Sequence, residues 1–406
     1  MFLLVKLAWR NSLRNKRRTV LAGLAIGIGL ASLIFVDALI LGMVRSMTST
    51  ATDTFLGEGQ IHCAGFRDTL EVEKTIVEGD TVLEELGTEK VIKEYAPRAL
   101  SFAMISSPAN AGAVLLYGIA PEKEIRLSKI DEAMVKGNYL ATNDEDKILI
   151  GHKLAEILEV GLEDRVVVTV AQAGTGDLSQ AMFRVGGIFR FNMREMDAEL
   201  AIITLPRAQK MLALENRIHE IALQFNQEMP ADSAFWNKYS QGGNEAVRWQ
   251  QILPEISVAI EYGQYAIYIL AVILFGIVSL GIMNTLFMSL YERMFEFGVL
   301  RAVGTRPLRM VLMIICEAAV LAFVSIIIGS LLGLGFSWLF AERGIDIYSG
   351  MELGGITLTE PIYPILKGYQ YYRYPIYLFV FTLLVGLYPA VYASRIRPAK
   401  AMQRSL

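Results

Sequence analysis

The residues best suited to chemistry in this 406-residue chain lie in one charged stretch between two long apolar blocks. Residues 290–306 read LYERMFEFGVLRAVGTR. Phe295, Val299 and Ala302 follow the i, i+4, i+7 spacing of one helical face. The pattern predicts a short helix that presents carboxylate and guanidinium groups to a partner protein. The alternative is a solvated turn flanked by arginines.

Two further carboxylates, Asp37 and Glu317, lie inside apolar blocks. Ionisable side chains are costly in such segments and usually have a polar partner or a function. Two interpretations stay open for each residue. One is structural pairing with a neighbouring polar group, and the other is a role in transport or signalling.

The sequence has no pattern for covalent or metal chemistry. It contains no G-x-x-x-x-G-K-[ST] loop, nucleophile elbow, zinc motif or pair of catalytic carboxylates. His62, His152 and His219 are scattered without metal-ligand spacing. Cys63 and Cys316 lie too far apart in the predicted organisation to form a disulfide. We therefore expect no catalytic site, metal site or cofactor on this chain, and we expect that it is not an enzyme.

Four apolar blocks must position these charges. They are residues 20–44, 265–290, 310–340 and 376–393. The chain is 53% hydrophobic and 19% charged, against roughly 25% charged residues in soluble domains. Each block is close to or above the ~20 residues that cross a bilayer. The sequence predicts an α-helical membrane protein with four transmembrane helices and a large mixed α/β domain outside the cytoplasm, between helices 1 and 2.

Lysine and arginine near the blocks predict the orientation. Residues 1–19 and 395–406 are basic without acids, and the loop after the second block carries four arginines. We predict that both termini and this loop are cytoplasmic. The predicted segments are a basic amphipathic segment (1–19), helix 1 (20–44), the outer domain (45–263), helix 2 (264–290), a short cytoplasmic helix (291–307), helix 3 (308–340), a short outer loop (341–374), helix 4 (375–394) and a cytoplasmic tail (395–406).

Short patterned runs indicate the secondary structure of the outer domain. Residues 113–119, 164–171, 199–205 and 219–225 are rich in β-forming residues and predict strands. Residues 151–160 and 205–214 have helical spacing, and residues 172–180 form a turn-rich loop typical of a hairpin tip.

Two pairs of glycines, Gly23 with Gly27 and Gly329 with Gly333, form small faces in helices 1 and 3. Such faces let helices approach closely in lipid. They predict either packing within the chain or a subunit interface.

Residues 281–307, GIMNTLFMSLYERMFEFGVLRAVGTRP, resemble the coupling segment of FtsX-like or MacB-like ABC permeases of type VII. LAWRNSLRNKRRTVLAGLAIGIGLA near the start is similar to their basic segment and first span. LYPAVYASRIRPAKAMQ, residues 387–403, resembles their C-terminal motif, and VGGIFRFNMREMDAELAIITLPRAQKMLAL resembles their outer domain. The resemblance covers nearly the whole chain in the family's order.

The resemblance implies a dimer of permease subunits on a pair of ABC ATPases that bind ATP and Mg²⁺. In the family the charged turn docks on the ATPase, and the residues that would inherit this role or permit close approach are Glu292, Arg293, Glu296, Gly298, Arg301 and Gly304. Closure of the ATPases would pass through the spans to the outer domain, a process called mechanotransmission. Exporters of the MacB type carry an ATPase ahead of the first span. Here 19 residues precede that span, so we expect the ATPase on a separate polypeptide.

The layout most resembles the permeases of the lipoprotein-releasing (Lol) system, which extract triacylated lipoproteins from the outer leaflet of the bacterial inner membrane. The resemblance implies an inner-membrane location. As partners it implies a second identical or homologous permease, membrane lipids and a periplasmic lipoprotein carrier, but no nucleic acid. A candidate lipid seat in the outer halves of spans 1 and 2 comprises Leu39, Met43, Tyr265, Ile269 and Leu270. The alternative is that these side chains simply face lipid or each other.

Three function classes therefore stay open. The first is extraction of lipoproteins or lipids, which an apolar cavity at the outer mouth of spans 1 and 2 would favour. The second is export of periplasmic small molecules or peptides with an outer-membrane duct, which a flat outer-domain tip would favour. The third is signalling to a cell-wall hydrolase or sensor without transport, which the absence of a lateral opening would favour.

Overall fold

The computed structural model describes residues 9–10, 16–226, 233–346, 350–353, 355–357 and 361–395. Most of the predicted basic segment and the tail from residue 396 onward lie outside the described residues. The chain forms two compact units. The helical unit comprises Met1–Val44, Glu261–Ile347 and Pro361–Leu406, and the α/β unit comprises Arg45–Ile260 and Tyr348–Glu360.

The described residues form long helices in the first unit and a large sheet in the second. The helices are α1 (Lys16–Ala51), α2 (Phe66–Thr69), α3 (Gly79–Thr88), α4 (Pro121–Leu127), α5 (His152–Leu158), α6 (Arg194–Glu199), α7 (Leu205–Leu212), α8 (Ser233–Tyr239), α9 (Trp249–Ile252), α10 (Pro254–Glu292), α11 (Met294–Ala302), α12 (Pro307–Arg343) and α13 (Gln370–Ser394). The strands are β1 (Gly59–Cys63), β2 (Ile92–Ser106), β3 (Ala111–Ile119), β4 (Met134–Gly137), β5 (Lys147–Gly151), β6 (Arg165–Ala171), β7 (Leu178–Phe189), β8 (Leu200–Thr204), β9 (Glu220–Phe225), β10 (Asn244–Arg248), β11 (Glu352–Leu353) and β12 (Ile356–Thr357).

Within the described residues, four helices are long and apolar enough to cross a membrane: α1, α10, α12 and α13. Helix α1 continues past its apolar block into a short π-helix, Thr52–Leu56, and α10 begins well before its apolar block. The apolar residues define only the part of a helix that can lie in lipid. The helix itself is longer, because the polar residues on either side also form helical backbone hydrogen bonds. The membrane boundaries within these helices stay a prediction.

The glycine faces of α1 and α12 lie against each other inside the helical unit. A Cβ atom added to Gly329 would lie 2.7 Å from the carbonyl oxygen of Gly27, and one added to Gly27 would lie 3.0 Å from the carbonyl oxygen of Ser325. The first distance is shorter than any contact that real Cβ atoms make, and the second is tighter than most of them. Glycine therefore permits the close approach of the two backbones. Of the two predicted uses of these faces, packing within the chain is the one that the structure shows.

Helix α10 packs less completely than its neighbours. Its buried side chains, among them Val278, Ile282 and Leu286, join the core formed with α1, α12 and α13. Only 11% of its most apolar stretch is buried, compared with 44% for α1 and α12. Most of the α10 surface is therefore available to lipid or to another subunit.

The α/β unit is built on a ten-stranded mixed sheet in the order β10-β1-β9-β2-β3-β8-β5-β7-β4, with β6 pairing both β2 and β7. Six strands therefore form a closed ring in which each strand pairs with the next: β2, β3, β8, β5, β7 and β6. The apolar core that they surround includes Ile105, Val168 and Phe183. A second core beside β1 and β9 includes Ile61 and Trp236. The predicted strands appear as β3, β6, β8 and β9, and the predicted helices as α5 and α7. The predicted hairpin tip joins β6 to β7.

A buried ionic cluster holds the π-helix Thr52–Leu56 within the α/β unit. The Arg98 side chain is fully buried on β2. It donates to Glu124 from Nη2 at 2.6 Å and from Nε at 3.1 Å, and to Glu220 from Nη1 at 2.8 Å. It also donates to the carbonyl oxygen of Phe55 and lies 4.1 Å from the centre of that ring. Burial lowers the pKa of the Arg98 guanidinium, but the two carboxylates more than offset this, so its pKa stays above the ordinary value.

We expect Arg98→Met to destabilise the protein strongly. The substitution leaves two buried carboxylates without a counter-charge, and breaking a buried ion pair on one side costs about 3–5 kcal/mol. The measurement is the thermal unfolding midpoint of the full-length chain in detergent. Arg165→Met, at an exposed position on β6, is the matched control and should leave the midpoint nearly unchanged. Equal midpoints for the two variants would contradict this account of the cluster.

Candidate functional site

Helix α11 forms the centre of the predicted coupling segment. The backbone leaves the helical conformation at Arg293, with φ −112° and ψ 15°, so α10 and α11 are separate helices. Gly304, after the end of α11, has φ +96°, a left-handed conformation that glycine adopts without steric cost. The N–H of Thr305 donates to the carbonyl oxygen of Leu300 at 3.0 Å and closes the turn. Gly304 therefore permits the sharp return of the chain into α12.

One face of α11 is buried and the other is apolar and exposed. Met294, Phe297 and Gly298 are buried in the helical unit. Phe295 is 50% exposed and Val303, just after the helix, is 81% exposed. The predicted apolar face at Phe295, Val299 and Ala302 is thus an outer surface, whereas Gly298 lies on the inner side.

Behind α11, two groups of polar contacts join α1, α10, α11 and α12. Arg293 lies 2.8 Å from Glu296 through Nε and 3.6 Å from Glu317 on α12 through Nη1. The Ser289 hydroxyl donates to the same Glu317 oxygen at 3.1 Å. Arg18 on α1 lies 2.6 Å from Glu292. Glu317 therefore has polar partners inside the bundle, which agrees with the first of its two predicted roles.

The predicted coupling residues differ in accessibility. The side chains of Glu292 and Glu296 are 43% and 45% exposed, whereas that of Arg293 is 12% exposed. Arg301 is half-buried, and its Nε has no hydrogen-bond partner in the described part of the chain. A partner approaching α11 would therefore meet the two glutamates and the exposed apolar side chains first.

Asp37 in α1 is held by the start of α13. Its Oδ2 accepts hydrogen bonds from Gln370 Nε2 at 2.7 Å and from the Tyr369 hydroxyl at 3.1 Å. Asp37 is only 4% exposed. It therefore joins two helices that lie more than 330 residues apart in the sequence.

A cavity of about 470 Å³ lies beside Asp37, between α1, α10 and the start of α13. Its volume lies within the ~300–1,000 Å³ typical of small-molecule sites. Its rim includes Tyr268 and Val272, which are 57% and 72% exposed. Its lining is mostly apolar and aromatic: Leu33, Asp37, Ile40, Leu41, Val44, Gln264, Ile267, Tyr268, Ala271, Val272, Phe275, Tyr369, Arg373, Tyr374 and Tyr377.

The five residues of the predicted lipid seat flank this cavity in sequence but do not line it. Leu39 and Met43 are half-buried neighbours of the lining residues on α1, and Leu270 is a half-buried neighbour on α10. Tyr265 and Ile269 are exposed on α10. The structure places the cavity in the predicted helix segments but on the adjacent helical faces. Contact of the five residues with lipid stays a prediction.

The contribution of α13 to the cavity was not predicted from the sequence. A signal was present in YQYYRYPIY, residues 369–377, where five of nine residues are tyrosine. Tyrosines concentrate at membrane interfaces because the ring is apolar and the hydroxyl is polar. Such a cluster could have been matched to the carboxylate of Asp37.

His219 has structural partners at both ring nitrogens. His219 Nδ1 accepts a hydrogen bond from the N–H of Leu100 at 2.9 Å, and its Nε2 lies 2.9 Å from the carbonyl oxygen of Val72. Burial lowers the pKa of His219 and keeps the ring neutral, as acceptance at Nδ1 requires. Among the described residues, no group of three or more His, Cys, Asp or Glu could hold a metal ion.

Comparison with known proteins defines the class. Residues 19–234, more than half of the chain, match the model of the MacB-like periplasmic core domain, and residues 268–398 match that of the FtsX-like permease C-terminal. The chain is a permease subunit of an ABC transporter and a multi-pass protein of the bacterial inner membrane. It belongs to the family of FtsX-like permeases with a MacB-like periplasmic core domain.

Curated relatives include transmembrane proteins of lipoprotein-releasing systems. LolC of Neisseria meningitidis serogroup B is 21% identical over 415 residues, covering 94% of this chain and 92% of LolC. LolE of Haemophilus influenzae is 21% identical over 343 residues, covering 81% of this chain and 82% of LolE. Among solved structures, the periplasmic region of MacB from Actinobacillus actinomycetemcomitans aligns with a TM-score of 0.35 at 12% identity, covering 49% of this chain and 92% of that region.

Proposed function

We propose that this chain is the permease of an ATP-driven complex that extracts lipoproteins from the outer leaflet of the inner membrane. The observation that carries the proposal is the apolar cavity of about 470 Å³ between α1, α10 and α13. Its exposed rim lies on the side of the helical unit, where lipid surrounds a membrane-spanning bundle. An acyl chain could therefore enter from the bilayer without crossing it. The lipoprotein-releasing relatives support this substrate class.

The energy for extraction would come from a separate ABC ATPase with bound ATP and Mg²⁺. Each CH₂ group of an acyl chain gains about 0.8 kcal/mol from burial in the bilayer, so removal of whole chains needs an external energy source. We place the ATPase contact on the exposed face of α11, with both termini in the cytoplasm. Glu292 and Glu296 would supply charge, and Phe295, Val299 and Val303 would supply apolar contact.

If the exposed face of α11 binds the ATPase, a charge placed on that face should weaken the binding. Phe295→Asp places a charge in the centre of the exposed α11 face and should reduce the ATPase that co-purifies with the chain at least tenfold, because about 1.4 kcal/mol of lost affinity is sufficient. Phe102→Asp, at an exposed phenylalanine in the α/β unit, is the matched control and should retain the ATPase. Retention of the ATPase by both variants would contradict the assignment of α11.

An apolar surface on the α/β unit is a candidate contact for a periplasmic carrier. Phe102 and Met104 on β2 and Leu178 and Met182 on β7 are each more than half exposed. Both strands pair with β6, so the four side chains lie on neighbouring strands of one sheet. Exposed apolar patches of this kind mark protein interaction sites.

The test of the proposed function is gentle purification of the chain from its native membrane, followed by mass spectrometry of its partners. We expect an ABC ATPase, a second permease copy or homologue, and acylated lipoproteins. An ATPase with an adaptor or a hydrolase, and without lipoprotein, would move the assignment to export or signalling. Absence of any ATPase would contradict the coupling role of α11.

A further inference from the structure

A further cavity lies within the α/β unit, and all the residues that line it belong to that unit. Its volume is about 270 Å³, close to the lower end of the ~300–1,000 Å³ range of small-molecule sites. Its floor is formed by side chains that are each at most 6% exposed: Leu56, Tyr117, Met193, Leu200, Ile252 and Ile256. A space of this size and lining holds one small apolar group rather than a helix or strand of a partner protein.

The Tyr117 hydroxyl is the polar group of this floor. Tyr117 is 4% exposed, and in the described part of the chain its hydroxyl has no hydrogen-bond partner. Burial raises the pKa of Tyr117, so the hydroxyl stays protonated at neutral pH and can donate a hydrogen bond. Because a buried hydroxyl without a partner is unfavourable, an acceptor atom on a bound molecule would stabilise this arrangement.

Three carboxylates lie at the rim of the cavity. Glu195, Glu199 and Glu255 line it, and all three residues are exposed. Glu195 and Glu199 are four residues apart on α6, and like charges at this spacing repel each other. Among the ion pairs of the described residues, none involves any of the three rim carboxylates.

The arginines around the cavity have carboxylate partners of their own. Arg67, which lines the cavity, lies 3.9 Å from Glu220 and so adds a second arginine to the buried cluster of Arg98 and its two glutamates. Arg194, at the start of α6, lies 3.7 Å from Glu352. The rim therefore keeps a net negative charge that is complementary to a cationic group.

We propose that this cavity binds a small cationic amphiphile, with its apolar part on the buried floor and its positive group at the three rim glutamates. Tyr117 donates a hydrogen bond to an acceptor atom between these two parts. Met193 and Met196 line the cavity, and flexible methionine side chains adapt to apolar groups of different shape. The inference goes beyond the proposed function and does not depend on it, because none of these residues lines the cavity proposed for acyl chains.

The test compares dansylcadaverine with its N-acetyl derivative on the full-length chain in lipid nanodiscs. Both probes carry the same fluorescent apolar group and the same sulfonamide oxygens, but only the first has a primary ammonium group. Fluorescence in empty nanodiscs is subtracted, because both probes also enter lipid. We expect the cationic probe to bind the wild type about tenfold more tightly than the neutral probe at low ionic strength. The difference should shrink as added salt screens the exposed rim charges.

A rim variant tests which charges are responsible. It combines three substitutions: Glu195→Gln, Glu199→Gln and Glu255→Gln. We expect it to remove the preference by weakening only the cationic probe. The matched control combines the same change at three exposed glutamates of the α/β unit outside the cavity: Glu84→Gln, Glu145→Gln and Glu156→Gln. This control should keep the preference, although it has the same net charge as the rim variant.

Met196→Trp tests the apolar part of the site. An indole at this position fills the cavity and should weaken both probes at least about fivefold. Equal affinity of the wild type for the two probes, or a preference that persists in the rim variant, would overturn the inference. Absence of binding above empty nanodiscs would also overturn it. The wild type and the rim variant decide the question even where Met196→Trp folds poorly. Each of these outcomes leaves the proposed function standing, because lipoprotein release is measured separately.

Discussion

Replacing Arg293 by glutamine should lower the amount of substrate released per ATP hydrolysed by on the order of tenfold, while ATP hydrolysis continues. Arg293 lies between Glu296 on α11 and Glu317 on α12, at 2.8 and 3.6 Å. Glutamine leaves the Glu317 carboxylate with the Ser289 hydroxyl as its described partner. Leaving a buried polar group without its partner costs about 1–3 kcal/mol, and more when the group is charged. A cost of about 1.4 kcal/mol is already a tenfold change in an equilibrium. Motion of α11 would then pass to α12 less effectively.

Two control variants separate this effect from a general loss of structure. Arg293→Gln combined with Glu317→Gln removes both charges and should recover much of the coupling, because no buried charge is left alone. Arg343→Gln, at the exposed far end of α12, should leave the ratio unchanged. Both rates are measured in the same reconstituted complex. An unchanged ratio in Arg293→Gln, or an equally low ratio in the double variant, would contradict the role of Arg293.

Replacing Ala271 by tryptophan should abolish most substrate release by filling the cavity. Ala271 lines the cavity from α10, and an indole there occupies the space proposed for an acyl chain. Displacement of even two CH₂ groups costs about 1.6 kcal/mol of binding, since each contributes about 0.8 kcal/mol. That loss alone is more than tenfold in affinity. Basal ATP hydrolysis should persist, because the substitution is far along α10 from α11.

Ala266→Trp is the matched control for this variant. Ala266 lies on the same helix, is exposed, and does not line the cavity, so the same change of side chain should leave release within about twofold of the wild type. The measurement is release of a labelled lipoprotein from reconstituted vesicles. Full release by Ala271→Trp, or equal loss in both variants, would contradict the cavity as the substrate site.

The short helix Met294–Ala302 and its exposed apolar face could be predicted from the sequence, because the residues that define them are close together in the chain. The charges of residues 292–301 interrupt two apolar blocks, and the spacing of Phe295, Val299 and Ala302 defines a face over fewer than three helical turns. The structure has a helix there, and these three side chains are accessible. The burial of Arg293 could not be predicted, since its partner Glu317 lies on another helix.

The cavity could be predicted only to the level of helix segments. Helix 2 has no charge from residue 265 to 290, so its sequence lacks the polar side that reveals which face of a helix is turned inward. The predicted seat therefore named Tyr265 and Ile269, which are exposed, whereas neighbouring Ile267 and Ala271 line the cavity. The contribution of α13 was missed because its contacts with Asp37 are long-range in sequence.

In the sheet, too, strands defined by their own residues could be predicted, whereas a strand that depends on partners distant in the sequence could not. Strands with compact runs of β-branched residues, such as β6 and β8, could be predicted. Strand β2, the longest in the described sheet, was not predicted. It contains Pro97 and the buried Arg98, which a sequence pattern does not associate with a central strand. The pairing of Arg98 with Glu124 and Glu220 and its contacts with Phe55 account for its burial, and all three partners lie on other elements.

The most direct test of the central claim is ATP-dependent release of a lipoprotein from vesicles that contain this chain and the ATPase purified with it. A labelled lipoprotein is incorporated in the same bilayer, and a soluble acceptor for acyl chains is supplied outside. The account predicts that ATP moves lipoprotein to the acceptor, and that a complex with Ala271→Trp does not do so. Hydrolysis of ATP with no lipoprotein released from wild-type vesicles would contradict extraction as the function of this permease.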